Sequence, residues 1–243
     1  MRKWRLAILF STLLLSSCDE LFNDDNDFFL SEETIIEGLK EALVVGTDSA
    51  TNQLSLTNGY YGNAALKILL PPEADIIVNN ISLIPGGDIL IENIILGINR
   101  SAEDAAKEVA PIFVSAITSM TIMDGLSILN GTNDAATTYL KNNTYSDLFG
   151  LYQPKLQTSL DKKLLGNVST NSLWSDLVSQ WNIVANSWAG QFAGYNPVET
   201  QLDSYLTNKA LDGLFMKIAE EELDIRTDPV ARVTELLERV FGQ

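Results

Sequence analysis

The sequence predicts an all-α domain of about ten helices, preceded by an export signal. Signals for helix starts and stops recur from Ser31 to the end of the chain, whereas the strict alternation typical of strands is rare. The chain of 243 residues has no repeat at a fixed period. Its length allows a core large enough to be stable without disulfides, in one domain or two small ones.

The first predicted helix begins at Ser31, a residue type that caps helices, and ends at Gly46. A polar, glycine-containing segment from 47 to 63 is expected to form a loop or a frayed helical turn. Residues 65–70 are apolar and precede two prolines, so this short run fits either a strand or a helical turn.

The later helices are delimited by proline, glycine and capping residues, which start or stop helices for known steric and hydrogen-bonding reasons. Proline, aspartate, asparagine or threonine stands at each expected start. Glycine or asparagine follows several of the ends. In chain order the predicted segments are 72–81, 88–109, 111–120, 124–129, 132–141, 144–152, 154–165, 171–188, 197–206, 208–224 and 228–241.

The N-terminus has the layout of a bacterial lipoprotein signal. Three basic residues precede an apolar run at 6–15, and small residues then lead to Cys18, the one cysteine of the chain. The run is too short to span a bilayer, which requires about 20 apolar residues. We therefore expect residues 1–17 to be removed and Cys18 to carry the lipid. The alternative is an ordinary secretory signal, which would leave a free thiol at its end.

Residues 18–33 are expected to form the lipidated cysteine and an acidic tether, followed by the helical domain at 34–243. Seven acids and no base occur between Asp19 and Glu33, and such a segment repels itself and extends. A calcium loop is the alternative, but the glycine and glutamate that such a loop needs are not in place. Acids directly after a lipidated cysteine resemble sorting signals of some Gram-negative lipoproteins. The expected location is the bacterial cell envelope, at the outer membrane rather than the inner, on its periplasmic face or the cell surface.

The composition excludes several classes of function. The chain carries 32 acidic and 16 basic residues, a formal net charge of −16, and three of the basic residues lie in the signal. Such a polyanion is not expected to bind nucleic acid, which requires clustered lysine and arginine. The chain contains no histidine, which excludes histidine-dependent triads, histidine-ligated zinc and histidine as a general base. No cofactor and no metal ion are expected.

A set of segments in a fixed order makes the chain similar to known sequences. The segments are 99–103, 110–113, 120–121, Asp124, 128–131, 135–139, 209–215, 221–226, Pro229, Arg232, 236–237 and 240–242. They resemble one bacterial family, the one numbered 4197 among the domains of unknown function, and the resemblance covers about residues 35–242. One departure is Ser101, where the family more often has alanine. The resemblance implies an exported, all-α protein, often with a lipoprotein signal, and it brings no activity that could be transferred.

The first candidate site consists of Arg100, Glu103 and Asp124. Arg100 and Glu103 are three residues apart on one predicted helix and can meet on one face. With Asp124 from the next helix they could line a pocket in which the guanidinium binds a carboxylate or phosphate. A partly buried ion pair that orients two helices is the interpretation we favour.

The second candidate site is the pair Glu222 and Arg226, which has the favourable i,i+4 order with the acid first. We favour a structural corner in which Arg226 binds carbonyls at a helix end. The alternative is a carboxylate site that also includes Glu221 and Asp228.

The third candidate is an aromatic stripe, because Trp174, Trp181 and Trp188 recur every seven residues with Leu177 and Val184 between them. On a single helix this spacing places the tryptophans on one face. Core packing is the interpretation we favour. An exposed platform for a sugar or lipid, or a seam for a partner helix, is the alternative.

The sequence therefore predicts a non-enzymatic envelope lipoprotein. We expect the membrane to be bound through the lipid on Cys18, and the helical domain to bind an envelope protein or a small-molecule ligand. A hydrolase or transferase that uses carboxylates alone, around Glu103 and Asp124, is one alternative. A structural spacer is the other, and it predicts neither a pocket nor an exposed aromatic patch.

Overall fold

The computed structural model describes residues 30–242, and ten α-helices make up most of this range, as the sequence predicts. Between these limits there is no β-strand, only an isolated bridge between Leu165 and Val168. Short 3₁₀ turns occupy Pro72–Ala74, Ile81–Leu83 and Pro229–Ala231. The helices are α1 Glu32–Leu54, α2 Asp75–Asn79, α3 Gly87–Ala106, α4 Ala110–Ser119, α5 Gly125–Leu129, α6 Ala135–Asp161, α7 Thr170–Asn186, α8 Trp188–Phe192, α9 Leu202–Thr227 and α10 Glu235–Phe241.

The long helices form a bundle around one apolar core. α9 packs against both α1 and α6, and α3 packs against both α6 and α7, while α4, α5 and α10 contact α1. The core side chains are almost entirely aliphatic and aromatic. Those fully removed from solvent include Leu39, Tyr60, Ile77, Ile98, Phe113, Leu140, Tyr152, Leu177, Trp181, Leu211 and Ile218.

α1 begins where the sequence predicts and ends eight residues later than predicted. The side chain of Ser31 accepts a hydrogen bond from the backbone N–H of Thr34 at 3.1 Å, and the helix runs through Gly46 to Leu54. Gly46 stays helical because it is buried where α9 crosses, so packing offsets its low helix propensity. The first turn includes Glu32 and Glu33, so the helical domain starts two residues before the expected boundary at 34. Cys18, the signal and most of the expected tether lie outside the described residues.

α6 is one helix where the sequence predicts three. Its buried side chains recur every four residues at 140, 144, 148, 152, 156 and 160, and form one continuous stripe against the core. Pro154 lies on the exposed side, so the carbonyl that its ring leaves unbonded can face water. Burial of the stripe overrides this local helix breaker.

Two further boundaries differ from the predictions. The separate segments 197–206 and 208–224 form the single helix α9, and the segment 72–81 is two 3₁₀ turns flanking the short α2. Residues 67–70 form neither a helix nor a strand. None of the helices in the described range combines the length and the apolar character required to cross a membrane.

Candidate functional site

Glu222 and Arg226 form the most buried charged contact of the domain. The Glu222 carboxylate, 1% exposed, accepts hydrogen bonds from the backbone N–H groups of Ala136 at 3.0 Å and Thr137 at 2.7 Å. It also accepts one from the Thr137 hydroxyl at 2.6 Å. Arg226 Nε donates to the same carboxylate at 2.9 Å, and its guanidinium lies 5.5 Å from the centre of the Phe241 ring. All the charge of Glu222 is thus compensated within the protein.

These contacts hold three helices together. The Asp134 side chain makes no capping bond at the start of α6, and Glu222 from α9 supplies the acceptor instead. Arg226 donates to the carbonyls of Leu129 at 2.6 Å and Ile128 at 3.1 Å, which lie at the end of α5. The arrangement matches the structural corner favoured from the sequence.

Arg100 and Glu103 form a second ion pair on α3, at 2.5 Å, in which Glu103 is buried and Arg100 is partly exposed. The other oxygen of the Glu103 carboxylate accepts from the backbone N–H groups of Tyr60 at 3.3 Å and Tyr61 at 3.1 Å. Arg100 also donates to the side chain of Asn58 at 2.9 Å, a residue with the unusual φ of +72°. The pair therefore fixes the loop that follows α1, because both partners bind it.

Asn99, which precedes Arg100 on α3, binds the extended segment around Ile68, which follows the same loop. Its side-chain amide donates to the carbonyl of Ile68 at 2.7 Å and accepts from the Ile68 N–H at 2.9 Å. An extended segment is thus paired with a side chain, as it would be paired with a neighbouring strand. The face of α3 that carries residues 99–103 holds the loop and the extended segment in place.

Asp124 does not join the Arg100–Glu103 pair in the structure. Its carboxylate caps α5 by accepting from the N–H of Ser127 at 2.8 Å. The N–H of Gly125 donates to Glu32 of α1 at 2.5 Å. Asp124 and Glu103 are thus engaged in separate structural contacts.

Trp174 and Trp181 are buried, whereas Trp188 is 81% exposed. The indole N–H of Trp174 donates to the carbonyl of Thr200 at 2.8 Å, and that of Trp181 donates to the carbonyl of Asn196 at 3.0 Å. Core packing thus accounts for these two members of the stripe.

The prediction that all three tryptophans share one helix face is wrong. α7 ends at Asn186, and Ser187 turns the chain by accepting from the N–H of Gly190 at 3.0 Å as the cap of α8. Trp188 is the first residue of that new helix. There its ring stacks on Phe192 with centroids 5.8 Å apart and 15° between the ring planes.

A groove of about 350 Å³ lies between the extended segment and α9. From α9 it receives residues 205, 209, 212, 213 and 216, a set that recurs on one helical face. From the segment it receives residues 65–69. Sequence reasoning did not single out these residues. The periodic face of α9 was visible in the sequence, but its pairing with a non-helical segment was not.

Two lysines line this groove, and neither forms an ion pair with a described residue. Lys67 Nζ lies 4.2 Å from the centre of the Tyr61 ring, and Lys209 Nζ lies 5.9 Å from that of Tyr205. The groove also contains Asp212, but that carboxylate pairs with Lys141 at 3.0 Å. We call this site the lysine groove. Its two ammonium groups make it a candidate site for an anionic group.

The rest of the lysine groove is largely apolar. Leu66 and Ile68 are buried, while Leu69 and Met216 are partly exposed, and all four line the groove. Burial raises the pKa of Tyr205, and the nearby carboxylates of Glu73 and Asp75 raise it further, so its hydroxyl stays neutral. The groove therefore offers two cations beside an apolar surface.

A second groove of about 350 Å³ runs past Trp174, between α7 and the segment before α9. Its charged residues are the acids Glu199 and Asp203, so it does not favour an anion. Within residues 30–242, no group of three or more histidine, cysteine, aspartate or glutamate side chains is placed to hold a metal ion.

The sequence matches a known family over nearly the whole described range. The family is described as DUF4197, protein of unknown function, and the match covers residues 29–242. No curated protein and no solved structure matches the chain.

Proposed function

The chain belongs to the DUF4197 family, and we propose from its own residues that it is a non-enzymatic, lipid-anchored protein of the bacterial cell envelope. Its helical domain binds a small ligand that carries an acidic head and an apolar body. The observation that carries this proposal is the lysine groove. Its two lysines lack carboxylate partners among the described residues, although acids outnumber bases two to one in the chain.

The anchor is supported by the N-terminal sequence. The basic start, the short apolar run and the single cysteine together favour lipidation of Cys18. Acyl chains supply membrane affinity at roughly 0.8 kcal/mol per buried methylene. The outer membrane, on its periplasmic face or the cell surface, is the proposed location.

A ligand with an anionic head suits the lysine groove for electrostatic reasons. In a chain with a net charge of −16, a lysine ammonium group is expected to lie within reach of a carboxylate. Most of the other lysines in the described residues do form such an ion pair. Lys67 and Lys209 instead contact aromatic rings, which hold the ammonium groups without neutralising them. A carboxylate or phosphate placed between them gains two charge-assisted contacts.

The two alternatives receive less support. A carboxylate enzyme requires acids that converge in a pocket with perturbed pKa values. Glu103 is instead bonded to Arg100 and to backbone N–H groups, and Asp124 caps α5, so the two acids of this alternative do not converge. A spacer predicts neither a groove nor exposed aromatic side chains, and both are present.

The ligand proposal is tested with dodecanoate, a fatty acid whose head and chain match the two parts of the groove. We expect saturable binding by calorimetry, and a loss of affinity of about tenfold in Lys67→Gln/Lys209→Gln. That loss corresponds to about 1.4 kcal/mol, a modest value for two partly solvated charge contacts.

The matched control is Lys155→Gln/Lys163→Gln, which removes the same charge from exposed positions outside the groove. It should bind dodecanoate as the wild type does. An equal loss of affinity in both double variants would show that net charge, and not the groove, governs binding. Binding that both variants retain would contradict the proposed site.

A further inference from the structure

The turn between α7 and α8 exposes the largest aromatic surface of the described chain. Trp188 is 81% and Phe192 85% exposed, and Ile183 on the last turns of α7 is 72% exposed. We call these three residues the aromatic corner. Monomeric proteins seldom leave stacked aromatic rings in water without a use for them.

The backbone at the corner is closely packed. An added Cβ at Gly190 would lie 2.1 Å from the carbonyl oxygen of Val184, so the tight approach of α8 to α7 requires glycine. The side-chain amide of Asn182 pairs with both the N–H and the carbonyl of Val198, at 2.9 and 3.0 Å. These contacts hold the backbone from which the two stacked rings project.

The chain around the corner carries no charge. The 22 residues from 177 to 198 contain no aspartate, glutamate, lysine or arginine, and this is the longest such run in the sequence. Elsewhere the acidic surface is repelled by anionic lipid. The corner thus lies in an uncharged segment, whose own residues add no charge repulsion when they approach a bilayer.

We propose that the aromatic corner inserts into the interfacial region of the bilayer to which the chain is anchored. Tryptophan favours this region because its ring is apolar and its N–H can bond the polar head groups. Unlike Trp174 and Trp181, Trp188 donates its indole N–H to no other residue of the described range. The proposal rests on the proposed anchor, and it is independent of the ligand in the lysine groove.

The proposed anchor would keep the bilayer close to the domain. Twelve residues separate Cys18 from Ser31, and a chain of that length reaches at most about 45 Å. Because the anchor supplies the membrane affinity, a weak interfacial contact suffices.

The test measures quenching of tryptophan fluorescence by lipid. The chain, as purified from its own cells, is attached to phosphatidylcholine vesicles that contain brominated phosphatidylcholine. Flotation first reports whether the lipid holds it there. A chain that does not float is coupled instead through the Cys18 thiol to a maleimide lipid. Failure of the anchor is thereby separated from failure of the corner.

We expect brominated lipid to quench the wild type, and Trp188→Phe to lose at least three quarters of that quenching. Phe192→Ser, which keeps the Trp188 reporter, should lose at least half. Val230→Ser changes an equally exposed apolar residue in another part of the domain, and should be quenched as the wild type is.

Absence of quenching in the attached wild type would overturn the proposal, as would equal quenching in Trp188→Phe. A corner that binds a second copy of the chain gives a different result. In that case Trp188 would be shielded from lipid and its emission would change with protein density on the vesicle, which also overturns the proposal.

Discussion

At the residue scale, Glu222 is the side chain on which most local structure depends. It supplies the acceptors for the first turn of α6 and the counter-charge for Arg226, whose side chain is 9% exposed. We expect Glu222→Gln to lower the free energy of unfolding by about 3 kcal/mol, because it leaves a buried guanidinium without its partner. Urea denaturation followed by circular dichroism measures this change.

Glu221→Gln is the control for that measurement. Glu221 is the adjacent acid on α9, and it accepts hydrogen bonds from Ser49 and Gln53 at a less buried position, so an effect of about 1 kcal/mol or less is expected. Equal effects in the two variants would contradict the role given to Glu222.

Tyr152 provides a prediction about pH. Burial raises the pKa of Tyr152 and of Tyr60 well above their usual value. The nearby Asp104 raises the pKa of Tyr152 further, and Tyr152 and then Glu103 raise that of Tyr60. The folded state therefore keeps both phenols protonated above about pH 10, where the unfolded chain ionises. Stability is complete below that pH and falls as the pH rises past it, by up to about 1.4 kcal/mol per pH unit for each tyrosine.

Substitution of Tyr152 distinguishes its contribution to stability from that of Tyr60. Its hydroxyl is buried and makes no hydrogen bond with a described residue, whereas that of Tyr60 donates to the carbonyl of Ala210 at 2.9 Å. Tyr152→Phe should be neutral or stabilising by about 1 kcal/mol at pH 7. It should also reduce the alkaline slope, to which the partly buried Tyr145 and Tyr205, whose pKa values burial also raises, contribute as well. Tyr60→Phe should be destabilising by a similar amount at pH 7. An unchanged alkaline slope in Tyr152→Phe would disprove this explanation.

At the scale of the elements, the sequence predicted the helix starts better than their lengths. Ser31, Asp124 and Pro111 stand at or within the first turn of helices, as expected, because capping and proline chemistry is local. The predicted helix end at Gly46 and the predicted helix start at Pro154 are wrong, because both residues lie inside longer helices. Whether a helix continues through such a residue depends on what its opposite face buries, and the sequence does not state this.

Two glycines in long helices show how the effect of a residue depends on what packs against it. A Cβ at Gly150 of α6 meets nothing within 4 Å, whereas one at Gly97 of α3 would lie 2.6 Å from the hydroxyl of Thr170. Gly150→Ala should raise the free energy of unfolding by about 0.5–1 kcal/mol through helix propensity alone. Gly97→Ala should lower it, because α3 and α7 would be pushed apart. Thermal denaturation of both variants checks the pair, and stabilisation by both would contradict the packing of α3 on α7.

Some contacts of the candidate sites could be predicted from the sequence, and others could not. Both ion pairs could be predicted, because i,i+3 and i,i+4 spacing on a helix brings side chains together. Trp188 could not be placed correctly, since Ser187, the serine cap directly before it, separates it from the helix that would have aligned it. The lysine groove was missed because Lys67 and Lys209 meet only through tertiary packing of residues far apart in the sequence.

At the scale of the whole molecule, the charge distribution connects the proposals. The chain is strongly acidic, yet two lysines beside an apolar groove have no ion pair with any residue that the structure describes, and one long run of residues carries no charge. The first feature favours an anionic ligand and the second favours contact with a bilayer. Both proposals assume a domain that is held at a membrane.

Lipidation of Cys18 is therefore the central claim, and labelling with a radioactive fatty acid tests it most directly. Cells that produce the wild type or Cys18→Ala are grown with labelled palmitate, and the protein is recovered from the membrane fraction. We predict label in the wild type and none in Cys18→Ala, which should also leave the membrane fraction or stay unprocessed. Equal labelling of the two chains, or a wild type without label, would contradict the account.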